Sequence, residues 1–113
     1  MDPIISRDGN VILKVEDKLM DYVTLRILYF NHQNGKFFFS SVEEARRLVN
    51  GVNSLEEDKS WEDSFDDIHV KLSMVGEDSV RVKIIVPMHP IIDTTFDKVQ
   101  LSNLAKHILH DLS

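Results

Sequence analysis

YVTLRILYFNHQNGKFFFS, residues 22–40, is the stretch on which the fold turns. Two strand-like runs flank Asn34-Gly35. Asn-Gly takes positive φ at both central positions of the tight turn that matches strand twist. A two-residue loop there pairs Gln33 with Lys36 and Phe30 with Phe39. Because side chains alternate along a strand, this register puts Leu28, Phe30, Phe37 and Phe39 on one face. Val23, Leu25, Ile27, Tyr29 and Phe38 fall on the other. A sheet covered on one side alternates apolar with polar. A hairpin apolar on both sides is either covered twice or keeps one face for a partner.

Working outward, Ile4 to Glu16 reads as a short hairpin turning at Asp8-Gly9, joined by Asp17 to Asp21 to the aromatic hairpin. Ser41 and Glu44 have the spacing of a capping box. Val42, Ala45, Leu48, Val49 and Val52 then recur at helical period, and the helix is expected to stop between Asn50 and Leu55. Ile68 to Met74 and Val80 to Val86 alternate cleanly and form a second hairpin. An even register, such as Leu72 against Val82, sets Lys71 opposite Lys83 with Arg81 beside them. Like charges directly opposite are unfavourable, so acidic residues from the upstream linker are expected nearby. Pro87-Met88-His89-Pro90 ends the ladder, and Ile91 to Phe96 adds a short edge strand. A last helix carries Leu101, Leu104, Ala105, Ile108 and Leu112 on one stripe, capped by Asp97 with Gln100.

At 113 residues and 42% hydrophobic content the chain suits one domain, residues 1–113, with one core. It has no cysteine, which removes disulfides and thiolate zinc sites and suits a reducing, cytoplasmic setting. No signal peptide is recognised, and no apolar run approaches the ~18 residues of a membrane span. The formal charge of −6 is one local feature: residues 56–67, EEDKSWEDSFDD, hold seven acids and one lysine, leaving twelve of each sign elsewhere. This balance argues against nucleic-acid binding, which needs a basic footprint, and fits a basic protein partner. The run reads as a solvated linker whose Trp61 and Phe65 hook onto the core. It lacks the ligand spacing of a calcium loop.

No nucleophile elbow, phosphate-cradling glycine loop or dinucleotide fingerprint is present. His107 and His110 lie three apart without the spacing of a zinc pair, and His69 has no matching second motif. Neither catalytic residues, nor a metal, nor a cofactor is expected. The layout as a whole resembles the immunity proteins of wall-associated contact-toxin systems in bacteria. The resemblance rests on the early hairpins, the helix from Ser41 to Leu55 and the aromatic linker from Trp61 to Phe65. It extends through the strands of Ile68 to Val86 and the tail of Phe96, Gln100, Leu104, Ile108 and Leu112. It implies a cytoplasmic, non-enzymatic protein that neutralises a toxin by binding it. The run Phe37 to Phe39 departs from that layout, so no particular partner is carried over.

The expectation is therefore an α+β fold, with a mostly antiparallel sheet of five or six strands and two helices on one face. The longer apolar row, Val23 to Tyr29, is assigned to the helices. The expected partner-binding surface is Leu28, Phe30, Phe37 and Phe39, together with Asp58, Trp61, Glu62 and Asp63 of the acidic run. Its function is expected to be that of an inhibitor-like module for a basic toxin or effector, with no membrane or nucleic-acid partner. The alternative is a structural or oligomerising protein of a phage or mobile element, with the phenylalanine face as a homodimer interface.

Overall fold

The computed structural model describes every residue except 57 and 58. Its first four strands are β1 (Ile4–Ile5), β2 (Val11–Val15), β3 (Val23–Tyr29) and β4 (His32–Phe39), followed by helix α1 (Val42–Asn53). Four more strands follow, β5 (Ser60–Phe65), β6 (Ile68–Met74), β7 (Ser79–Ile85) and β8 (Ile92–Asp97), and then helix α2 (Lys98–Leu112). The class is α+β: two antiparallel four-strand sheets and two helices packed together. Each sheet is a simple meander, β1-β2-β3-β4 and β5-β6-β7-β8. The expected single sheet of five or six strands is thus split in two. The acidic run is the reason, since its second half pairs as β5 instead of remaining a linker.

The aromatic hairpin turns earlier than its Asn-Gly pair suggests. Tyr29 pairs with His32, and Phe30 (φ 50) and Asn31 (φ 65) occupy the two left-handed turn positions. Asn34 is the extra residue of a bulge, because Ile27 faces Gly35 while Leu28 faces Gln33. The register that results sets Val23 against Phe39 and Leu25 against Phe37. Phe37 and Phe39 therefore join the Val23 row in the core, at 4% and 2% exposure, and Phe38 points outward. A one-residue slip would send every side chain of the strand to the other face. Burial of two phenylalanines, at roughly 1.5–3 kcal/mol each, outweighs the local preference of Asn-Gly for a turn.

Between the sheets lies one core. Leu13, Ile27, Phe37 and Phe39 of the first sheet meet Phe65, Ile68, Leu72, Val82 and Ile84 of the second, around an apolar void of about 50 Å3. Leu48 of α1 and Leu101 and Leu104 of α2 close it. Both helices start as their sequences dictate. The Ser41 hydroxyl accepts from the Glu44 amide at 3.1 Å, and the Glu44 carboxylate reaches back to the Ser40 amide at 3.4 Å. The Asp97 carboxylate accepts from the Gln100 amide at 2.9 Å.

Gly51 lies inside α1, and its value is closeness. A β-carbon there would come within 2.4 Å of the Trp61 ring, so the absence of a side chain lets α1 settle onto β5. Beside that contact Arg47 of α1 lies over the Phe65 ring and pairs with Asp63 at 2.7 Å. The sheets are joined at β8. There the Arg7 amide donates to the Thr95 carbonyl at 2.8 Å and the Thr94 hydroxyl donates to the Asp8 carboxylate at 3.1 Å. Asp8 also accepts from the Ser6 hydroxyl at 2.5 Å and the Asn10 amide at 3.0 Å.

Candidate functional site

The structure scatters the surface expected from sequence. Phe37 and Phe39 are core residues that stack on Phe65 at 5.3 and 5.5 Å, so they form no exposed face, either for a partner or for a second copy. Leu28 is half-buried on the outer face of the first sheet. Phe30 leaves the strand altogether and stands in the turn, 55% exposed. Trp61 is half-buried against Gly51. Asp63 points inward and is held by Arg47, which makes it part of the α1–β5 packing. Glu62 is exposed and lies 3.3 Å from the His69 imidazole. Asp58 lies outside the described residues.

Phe30 belongs to a different constellation. The Asn34 amide donates to the Pro90 carbonyl at 3.4 Å, and Gly35 lies so near Val86 that a β-carbon there would come within 3.1 Å of the Val86 side chain. These contacts set the loop of residues 86–91 beside the start of β4, at the end of the molecule where the Phe30-Asn31 turn lies. Phe65 pairs with Ile68, so the Asp66-Asp67 turn caps the same end of the second sheet, next to the close of β7. Phe30, Met88 and Ile91 are all exposed, Met88 fully so, as are Asp66 and Asp67 in the β5–β6 turn of the second sheet.

Backbone strain concentrates at this end. Among the described residues five non-glycine positions have positive φ, and Phe30, Asn31, Asp66 and Met88 are four of them. The left-handed region costs an ordinary side chain roughly 1–2 kcal/mol, and only glycine, asparagine and aspartate enter it readily. Asn31 and Asp66 therefore suit their turns, whereas Phe30 and Met88 do not. Met88 (φ 65) makes no compensating burial, and Phe30 gains only an edge contact with Tyr29 at 4.5 Å. Large apolar side chains held where smaller polar ones would be more stable point to a role outside the fold. Met20 (φ 57) is the fifth such residue, at the far end of β3.

Sequence reasoning missed Met88 and Ile91. Their signal is a methionine between two prolines, P-M-H-P, too polar and irregular to pack as a strand. Among the described residues no three histidine, cysteine or acidic side chains converge as metal ligands, and no helix is long and apolar enough to cross a membrane. Comparison with protein-family models, with curated proteins and with solved structures returned no match.

Proposed function

We propose that the protein is a non-enzymatic, cytoplasmic binding module that inhibits or masks a partner protein by direct contact, as the immunity-like layout implies. Its contact surface takes in the exposed apolar residues Phe30, Met88 and Ile91 and the acidic turn of Asp66 and Asp67. The observation that carries this reading is the pair Phe30 and Met88, exposed apolar residues kept in the left-handed region. Aromatic and methionine anchors inside a polar rim are typical of interface centres. The acidic turn gives the partner a chemistry, an apolar patch accompanied by basic groups. A homodimer built on the phenylalanine face loses Phe37 and Phe39 to the core and is not carried forward.

The test is the double variant Phe30→Asn with Met88→Asn. Asparagine accepts the left-handed region, so Met88→Asn should stabilise by about 1 kcal/mol. At Phe30 the relief of strain is offset by the lost edge contact with Tyr29, worth about 0.5–1.5 kcal/mol. The double variant is expected to melt at or above the wild-type temperature and to lose capture of the partner that wild type retains. Capture equal to wild type, or a double variant that unfolds, refutes the reading.

A further inference from the structure

The outer face of the second sheet, away from the Phe30 end, has a different character. One row crosses all four strands as Glu62, Lys71, Lys83 and Asp93, each paired with the next. The neighbouring row reads Ser60, Ser73, Arg81 and Thr95. Two lysines directly opposite each other repel, and the acids beside them in that row make their closest contacts with other residues. Asp93 is gripped by the Arg81 guanidinium at 2.8 and 2.6 Å, which holds its carboxyl below the usual aspartate range. Glu62 lies against His69. Among the described residues no carboxylate oxygen comes within 4.0 Å of the Lys71 or Lys83 ammonium.

Those two lysines floor a concave cleft of about 420 Å3, walled by Lys59, Arg81 and the hydroxyl-bearing Ser60 and Ser73. Among the described residues, none that lines it is acidic or aromatic. The volume lies in the range of small-molecule sites. In a chain of net charge −6, four cations line this one cleft, of which Lys59 is paired with Glu56 at 2.9 Å and Arg81 with Asp93, leaving Lys71 and Lys83 as its unpaired charges among the described residues.

We propose that this cleft binds a compact phosphorylated ligand carrying two or more negative charges. Lys71 and Lys83 stand on directly paired positions of neighbouring strands, whose backbones lie roughly 5 Å apart, and their two ammonium groups suit a ligand with two or more negative charges better than a single monoanion. Arg81, oriented by Asp93, adds a fixed guanidinium edge, and Ser60 and Ser73 add hydroxyl donors. With no aromatic wall, recognition rests on the phosphoryl groups and not on a stacked base. The bound anion also neutralises the Lys71–Lys83 repulsion, so affinity and sheet stability are linked. This site is independent of the Phe30 end and stands whether or not that end binds a protein.

Pyrophosphate is the probe, titrated at constant ionic strength and followed by amide chemical shifts. Saturable binding with shifts centred on β6 and β7 is expected. Lys71→Gln with Lys83→Gln should weaken it roughly tenfold or more, as loss of charge-assisted hydrogen bonds does. Lys14→Gln with Lys36→Gln makes the same charge change on the outer face of the first sheet and should leave the affinity unchanged. No saturable binding, or equal loss in both double variants, overturns the proposal. Tighter binding of hexaglutamate than of pyrophosphate at the same residues also overturns it, in favour of an acidic protein segment.

Discussion

Gly51→Ala is the substitution for which the structure and local propensity give opposite answers. Glycine in a helix interior is about 1 kcal/mol less favourable than alanine, and an isolated α1 would gain that amount. Here the new methyl would lie 2.4, 2.5 and 2.8 Å from three Trp61 ring atoms, where carbon atoms prefer 3.5–4.0 Å. The ring would have to retreat by roughly 1 Å. The ring neighbours Phe65 at 6.4 Å between centroids, itself packed on Phe37 and Phe39, so a shift of Trp61 is felt in the core. Overpacking of this kind costs about 1–3 kcal/mol. The net expectation is a loss of about 1–2 kcal/mol in place of a gain. Trp61 is the single tryptophan, so its fluorescence reports the contact directly during urea unfolding. Trp61→Leu should lower stability by itself but restore the benefit of alanine, so that adding Gly51→Ala to it becomes neutral or stabilising by circular dichroism. A Gly51→Ala protein as stable as wild type, with unchanged Trp61 emission, would refute the reasoning.

Leu104→Ala and Ile108→Ala, both fully buried, should each cost about 2–5 kcal/mol in chemical denaturation, and unchanged midpoints would show that α2 does not close the core. The Asp8 carboxyl is held below the ordinary aspartate range by the Ser6 hydroxyl first, then by the Asn10 amide and the Thr94 hydroxyl. A depressed folded-state value gives stability that is present above the unfolded-state pKa and lost as pH falls through the folded one. Melting curves of wild type and Asp8→Asn should therefore differ at neutral pH and converge in acid below about pH 4; parallel curves would remove Asp8 from the joint between the sheets. Neutralising Asp66 and Asp67 should slow association with the partner at low ionic strength and matter less as salt rises, since steering by exposed charge is screened. Association rates indifferent to both would confine recognition to the apolar residues.

The second hairpin was readable because its apolar residues alternate with polar ones, Ile85 apart. Leu72 does face Val82, Lys71 does face Lys83, and acidic Glu62 of the upstream run does lie opposite Lys71. The caps of both helices were equally legible, being local in sequence. The register of the first hairpin was not, because the Asn34-Gly35 signal is local whereas the burial of Phe37 and Phe39 depends on a second sheet many residues away. Strand β5 was hidden for a related reason. Its inward row is Trp61, Asp63 and Phe65, and a charged residue in an inward position reads as linker until Arg47 of α1 is brought to it. The Phe30 end sets the first hairpin beside the loop of residues 86–91, distant in sequence, and only the tertiary fold brings them together.

The two meanders have a consequence for the order in which the chain can form. Every strand pairs only with its sequence neighbours, so β1 to α1, residues 4–53, can complete its strand pairing before residue 60 has been made. What this first segment cannot do alone is cover its inner face, since Ile27, Phe37 and Phe39 wait for Ile68, Leu72 and Ile84. Synthesis at about 5–20 residues per second leaves that face open on the ribosome for roughly 3–12 seconds. For that interval the nascent chain presents a paired sheet with an oily side, a natural client for a chaperone that recognises exposed phenylalanine. Folding of the whole then awaits the arrival of the second half more than any search among strand pairings.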